Sequence, residues 1–365
     1  MKLSLYIARR FTSSFLLVFF GLFAVLYLIE MVEQIRRFSG AGLSLARTAE
    51  LALLKVPKSA YRILPMVMIL ASIALFLALA RSSELVVIRA AGRSALRMLV
   101  SPLIAAILIG TFAVAALNPI VAGTSKRYDS LSDSYRLGDG NVLSVSREGL
   151  WLRQGSEEGQ TVIRATRANL DGTTLFDVSF ITFGFQTGPI ARIDAARAEL
   201  TPGAWTLTDA KEWRFTPETN PEANSLRHET FRVPSELTAD QIRDSFGTPS
   251  SIAIWDLPGF ISSLERAGFS ARKHYVWLHM ELALPLLLAT MVLVGAGFTM
   301  RHARSGRTGL MVLLAIISGF AIFLLRNFAQ VLGENGQIPI LIAAWSPPVA
   351  AALLSLSLIL HLEDG

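Results

Sequence analysis

The run Ser82-Ser83-Glu84-Leu85-Val86-Val87-Ile88-Arg89-Ala90-Ala91-Gly92-Arg93 holds the most organised chemistry in the chain. It has serines suited to cap a helix, an acid in the first turn, two turns of apolar residues and a closing glycine. These are the start and stop signals of one short helix over about residues 82–93. Two roles fit it. One is an interfacial helix resting on lipid headgroups. The other is a coupling helix docked in the groove of a separate ATPase subunit, with Glu84 paired to a basic residue there. A second cluster is Glu30-Met31-Val32-Glu33-Gln34-Ile35-Arg36-Arg37. Glu33 and Arg37 stand at i,i+4 spacing, a pair that stabilises a helix end. Arg36 and Arg37 also have the planar fork that grips phosphate through two bonds, so an anionic ligand is the alternative. Lys126 and Arg127 are further candidates for that ligand, against the plainer role of snorkelling anchors.

Enzymatic chemistry is thinly represented. The chain lacks a G-x-x-x-x-G-K-[ST] loop, so nucleotide binding of that kind is not expected in it. His279-Met280-Glu281 lacks the second histidine of a zinc-protease helix and reads as boundary polarity. With no cysteine there is neither a disulfide nor a thiolate metal site. No catalytic residue and no metal ligand is expected.

The elements that carry these clusters are apolar spans. Phe11–Ile29, Ile63–Ala80, Met98–Ser125, Leu282–Met300, Thr308–Leu325 and Ile338–Leu360 contain no charged residue or histidine, and each is 18 residues or longer. That matches the roughly 20 residues a helix needs to cross a bilayer. The reading is six transmembrane helices in two groups of three, with no ionisable group inside them. Phe11–Ile29 is longer than a signal-peptide core, and no small-residue cleavage site follows it, so it is read as retained. Charge is segregated: residues 126–281 hold 17 Lys/Arg against 21 Asp/Glu, whereas the remainder holds 17 against 7. The basic excess therefore borders the spans and does not mark a nucleic-acid surface. Density of Lys/Arg in the second and fourth loops places the termini in the cytoplasm. Total counts on the two sides are nearly equal, and the basic excess of the first loop is the anomaly that favours a ligand there.

Between the two groups lies a β-rich domain. Gln160–Ala165, Leu175–Phe183, Ile193–Leu200, Trp205–Leu207, Glu212–Phe215 and Thr230–Val233 are short strand candidates. Asp171-Gly172, Thr187-Gly188-Pro189 and Pro202-Gly203 supply the turns. Alternation puts Phe176, Val178 and Phe180 on one face. Leu257–Ala267, closed by Gly268, reads as a helix leading back to the membrane. The divisions are residues 1–125, 126–256 and 257–365.

The sequence resembles the lipopolysaccharide-export permease family, LptF/LptG, over essentially its whole length. The resemblance rests on Glu33-Gln34-Ile35-Arg36-Arg37, on Val56-Pro57-Lys58 with Pro65-Met66, on Ser83-Glu84-Leu85-Val86-Val87 with Ala91-Gly92, and on the three-domain-three layout. The serine-led run is closer to the LptG branch. The resemblance implies a permease subunit of an ABC transporter in the bacterial inner membrane, with an LptF-like partner and two LptB-like ATPase subunits that bind ATP and Mg. It implies a periplasmic β-jelly roll that passes lipopolysaccharide to an LptC/LptA-like bridge. It assigns ATPase coupling to Ser83, Glu84, Leu85, Val86, Arg89 and Gly92. Lipopolysaccharide contacts fall on Glu30, Glu33, Arg36, Arg37, Lys126 and Arg127, and an acyl path falls on Phe176, Val178 and Phe180, residues that ordinary β-domain core would explain equally. Glu30 departs from the pattern, because a member of the family carries a basic residue in that turn. A differently decorated lipid A, or a divalent cation bridging Glu30 to phosphate, would accommodate the acid. Other readings are a permease for another lipid or lipoprotein, a non-transporting scaffold and, last, an intramembrane enzyme.

Overall fold

The structure is a computed structural model and describes residues 2–39, 43–90, 94–137, 150–156, 159–169, 172–184, 188–215, 220–235, 237–238, 249–266, 270–300 and 308–364. The chain divides into two compact units. The first is Met1–Ser132, Ala253–Trp255 and Arg272–Gly365, and the second is Asp133–Ile252 and Asp256–Ala271.

The first unit opens with α1 (Lys2–Arg37), a 36-residue helix that contains no proline. It is followed by α2 (Leu45–Arg62), which begins at Ser44, whose hydroxyl accepts from the Arg47 amide. In sequence alone residues 30–62 read as the first loop between spans, so α2 is a correction to that expectation. Its buried residues Thr48, Leu51, Ala52, Val56 and Ala60 recur at helical spacing, so one stripe packs inward with Lys55 inside it, while Arg47, Glu50 and Lys58 are exposed. α3 (Leu64–Arg81) carries Pro65 in its first turn, where a missing N–H costs nothing. A two-residue turn then leads to α4 (Glu84–Ala90). α5 (Ala95–Phe112) runs through a π-turn at Ala113–Leu117 into α6 (Asn118–Leu137).

After the β domain and α7 (Leu257–Arg266) of the second unit, the helices of the first resume. They are α8 (Arg272–Leu282), α9 (Leu284–Thr299), α10 (Thr308–Glu334) and α11 (Ile340–Asp364). Leu3–Arg37, Leu64–Arg81, Leu96–Ser132, Thr308–Glu334 and Ile340–His361 are each long and apolar enough to cross a membrane. α8 and α9, bent by 48° at their junction, form a sixth when taken as one span. Pro285 in the first turn of α9 accounts for the break, because it removes a hydrogen bond from a continuous ladder. α9 is the centre of the bundle. It is buried almost all round and packs on α3, α5, α10 and α11. Gly110 lets α5 approach closely: a Cβ there would lie 2.6 Å from the Pro285 Cα.

One expectation is corrected. The apolar runs contain no ionisable group, but the helices continue through the charges that bound them. Arg326 lies within α10, and Glu281, 1% exposed, lies in the last turn of α8. Backbone hydrogen bonding, not residue charge, sets where a helix ends.

The second unit is built on one six-stranded antiparallel sheet in simple sequence order. Its strands are β1 (Leu150–Ser156), β2 (Gly159–Ala168), β3 (Thr174–Gly184), β4 (Gly188–Thr201), β5 (Ala204–Arg214) and β6 (Leu226–Pro234). The two short candidates at Trp205–Leu207 and Glu212–Phe215 are parts of one strand, β5. One face is apolar, with Leu152, Ile163, Leu175, Val178, Phe180, Ile193, Trp205 and Leu207 in a single cluster. The sheet curls enough for the edge strands to meet through side chains. The buried Gln154 of β1 donates to the Pro234 carbonyl of β6 and accepts from the Ser235 hydroxyl.

The sheet also carries a transverse crease. In β2 to β5 the inward–outward alternation slips by one residue at the same level, so that Ala165 and Ala168, Leu175 and Val178, Ala195 and Ala198, and Leu207 and Ala210 are successive inward positions. Pairing stays in register across it: Val178 faces Ala165 and Ala195, and Phe176 faces Arg167 and Arg197. Asp177 and Asp209 take left-handed backbone conformations there, φ 51° and 53°. Aspartate visits this region at lower cost than bulkier residues. The crease overturns the expectation that Phe176, Val178 and Phe180 share a face. Val178 and Phe180 are buried, while half-buried Phe176 sits under the Arg167 and Arg197 guanidinium groups at 5.5 and 6.0 Å.

Candidate functional site

The short helix α4 sits where two apolar helices meet. Ser83 has φ 59°, and its carbonyl accepts from the Val86 and Val87 amides, so the chain reverses direction at Ser83 and starts the helix there. Leu85 and Ile88 are buried and join the cluster that contains Ile7, Phe11 and Phe15 of α1. Val86 and Val87 are exposed on the opposite side. Glu84 is not free. Arg10 of α1 donates from one Nη to both carboxylate oxygens at 2.7 and 2.9 Å. The Tyr6 hydroxyl donates to the same group at 3.0 Å, and Ser82 donates at 2.8 Å. The hydrogen bond from Arg10, with those from Ser82 and Tyr6, holds the Glu84 carboxyl below its ordinary range despite some desolvation. The basic partner that sequence reasoning assigned to another subunit is thus matched inside the chain by Arg10. Nothing local marks it, since 74 residues separate the two. Arg89 lies in α4, and Gly92 falls outside the described residues.

At the other end of α1 the second cluster is assembled. Glu33 pairs with Arg36 at 2.8 Å, one turn apart, rather than with Arg37. Arg37 instead donates to the Tyr128 hydroxyl of α6 at 3.0 Å, and Tyr128 donates to the buried Gln34. Glu30 is mostly buried and meets Lys55 of α2 at 3.0 Å, while the Ser59 hydroxyl donates to it at 2.9 Å. Lys55 also lies 5.7 Å over the Tyr128 ring. Leu28, Ile29, Glu30, Val32, Glu33 and Lys55 line a cavity of about 460 Å³. Three of these lining residues are apolar and three are ionic, a mixture that suits an amphiphile's junction of chain and head. Lys126 is half-buried and Arg127 is exposed, both beside Tyr128 in α6. Lys55 escaped the sequence reading because it belongs to the unrecognised α2.

A buried polar node lies deeper in the bundle. Tyr61 of α2 and the Asn118 amide of α6 both donate to Glu281 of α8. The Asn118 carbonyl oxygen accepts from the Ile254 amide at 2.9 Å. The neighbouring Trp255 indole donates to the Ala115 carbonyl, inside the π-turn, at 3.0 Å. Two helix groups and the turn at Ile254 and Trp255 are therefore tied at one point. The apolar face of the sheet is a separate feature. Phe180 and Trp205 meet edge to face at its centre.

Comparison with known proteins agrees with this organisation. The family described as lipopolysaccharide export system permease LptF/LptG matches residues 5–361. The lipopolysaccharide export system permease protein LptG of Escherichia coli strain K12 is 24% identical over 361 residues, covering 98% of this chain and 97% of that protein. The LptG protein of Haemophilus influenzae strain Rd is 23% identical over 337 residues, covering 91% of this chain and 90% of its own. The match runs through both helix groups and the sheet between them, and this chain therefore belongs to the LptF/LptG family of lipopolysaccharide export permeases.

Proposed function

We propose that the chain is the LptG-like half of an ATP-driven exporter that lifts lipopolysaccharide out of the inner membrane. In this reading both termini and α4 face the cytoplasm, and the β domain stands in the periplasm. An LptF-like subunit completes the membrane cavity. Two LptB-like subunits supply ATP hydrolysis, one of them seated on α4 through Val86 and Val87. The anionic head of the cargo meets the Arg36 and Arg37 end of α1, with Lys126 and Arg127 close by. Closure of the ATPase collapses the cavity, and the acyl chains pass to the apolar face around Val178 and Phe180 before transfer to an LptC/LptA-like bridge. Phe176, on the other face, is left out of that path. Glu30 needs neither a decorated lipid A nor a bridging cation here, since Lys55 already neutralises it.

The observation that carries this reading is the match over residues 5–361, which takes in both groups of apolar helices and a sheet with one apolar face. The test is co-purification of the tagged chain from a membrane that contains its natural partners, followed by ATP-dependent release of lipopolysaccharide from vesicles. An ATPase subunit should accompany the wild type and be lost in Glu84→Arg. Retention of neither ATPase nor lipopolysaccharide by the wild type would leave a membrane scaffold as the better account.

A further inference from the structure

Of the hydrogen bonds to Glu84, those from Arg10 and Tyr6 come from α1, and the one from Ser82 comes from its own turn. We propose that Arg10, assisted by Tyr6, is a positioning residue that makes α4 an outrigger of α1, so that α1 carries movement of α4 across the membrane to the Glu30–Arg37 cluster. The inference rests on the permease reading above and adds the route by which its two sites communicate.

Four observations support the route. First, α4 has seven residues among those described, too few to hold a helix unaided. Its stability comes from Leu85 and Ile88 in the cluster that joins Ile7, Phe11 and Phe15 of α1 to residues of α3, α5 and α9, and from the polar link of Glu84 to Arg10 and Tyr6. Second, its covalent connection to α3 is a turn of two serines, one in a left-handed conformation, which gives no continuous helical ladder to transmit force. Third, α1 is a single ladder without proline from Lys2 to Arg37. Arg10 and Glu30 are therefore held about 30 Å apart along one helix, at about 1.5 Å per residue. Fourth, both ends of this rod are bonded to something that acts. Arg10 and Tyr6 hold α4, whereas Glu30, Gln34 and Arg37 hold Lys55, Ser59 and Tyr128 on α2 and α6. A displacement of α4 delivered through Arg10 must move the partners of the proposed headgroup site or break one of these links.

The plainer account is that Arg10 and Glu84 merely secure a loop. The two accounts differ in a ratio. In vesicles containing the chain, its permease partner, the ATPase subunits and the bridge protein, lipopolysaccharide delivered is measured against ATP hydrolysed. Arg10→Gln is expected to retain the ATPase subunit and basal hydrolysis but to deliver several-fold less lipopolysaccharide per ATP, with Arg10→Lys recovering part of the loss. An Arg10→Gln complex that delivers at the wild-type ratio overturns the proposal, even if its thermal stability falls. If Arg10→Gln does not assemble, spin labels at exposed Leu5 and Val87 decide the matter in a chain that keeps its ATPase. Their separation should stay constant between nucleotide-free and nucleotide-bound states. A shift of several ångströms shows that α4 moves without α1 and overturns the proposal. Failure of the unmodified complex to deliver any lipopolysaccharide defeats the permease reading itself, an outcome distinct from a working complex that is indifferent to Arg10.

Discussion

Two ion pairs near the Arg37 end of α1 have nearly equal lengths and should have very different energies. Glu30–Lys55 is 3.0 Å long with side chains 13% and 29% exposed, and Glu33–Arg36 is 2.8 Å long with side chains 43% and 79% exposed. At an effective dielectric of about 20 the first has a gross attraction of about 5 kcal/mol, and at about 80 the second has about 1.5 kcal/mol before salt screening. Desolvation and side-chain ordering remove much of each. An exposed pair typically nets about 0.2–1 kcal/mol, and breaking a buried one costs about 3–5 kcal/mol. Glu30–Lys55, between these limits, should couple by about 2 kcal/mol. Double-mutant cycles with Glu30→Gln and Lys55→Met, and with Glu33→Gln and Arg36→Gln, measure both couplings from thermal unfolding of the purified permease. The consequence for the site is that Arg36 is free to exchange Glu33 for an anion, whereas Lys55 is committed. Arg36→Gln should therefore weaken lipopolysaccharide binding with little loss of stability, and Lys55→Met should lose stability. Equal couplings for the two pairs, or a stability loss on Arg36→Gln that matches Lys55→Met, would refute the reasoning.

Three other expectations can be checked directly. Glu281→Ala leaves the Tyr61 hydroxyl and the Asn118 amide without their acceptor, at a cost of about 1–3 kcal/mol for each buried group, and Glu281→Gln should lose less because an acceptor oxygen remains. Thermal unfolding of the two variants decides this, and an Ala variant as stable as wild type sinks it. The depressed Glu84 carboxyl contributes stability above its ordinary value of 4.5 and loses it as pH falls through the lowered value. Spin-label proximity between α1 and α4 should thus be unchanged from neutral pH down to about 4.5 and loosen only below it; loosening already near pH 6 contradicts the assignment. Asp177→Val forces a β-branched residue into a left-handed position and should destabilise the β domain by about 1–2 kcal/mol. Asp177→Gly should be tolerated, so hydrogen exchange across β3 that is equally protected in both variants would show the crease to be unstrained.

The apolar cores of the spans were legible because a run of 18 or more uncharged residues has few other uses. Their ends were not. Arg326 and Glu281 look like boundaries in sequence, but a helix in a bundle continues wherever tertiary partners satisfy its polar side chains. α2 was missed because Arg47, Glu50, Lys55, Lys58 and Pro57 conceal an inward stripe that becomes visible only when burial is plotted at helical spacing. Strands β2 to β6 were legible and β1 (Leu150–Ser156) was not, and the facing of Phe176 was wrong, since alternation assumes an unbroken pleat and one aspartate at φ 51° breaks it. Glu84 was marked as important from its place in a capped helix. Its partner Arg10 was invisible, because contacts over 74 residues are set by packing and leave no spacing to read.

The π-turn at Ala113–Leu117 has a consequence for every residue beyond it. A π-turn accommodates an extra residue in a helix without ending it. Each residue of an α-helix is rotated by about 100° from the last, so the insertion resets the angular phase of all that follows. Asn118 is the first residue of that new phase, and it is aimed at Glu281 on one side and Ile254 on the other. The Trp255 indole occupies the Ala115 carbonyl inside the turn, which locks the phase from outside the helix. Shortening the turn by one residue would therefore be a change of direction more than of length: Asn118 would swing away from its partners, and Tyr128, ten residues on, would turn with it.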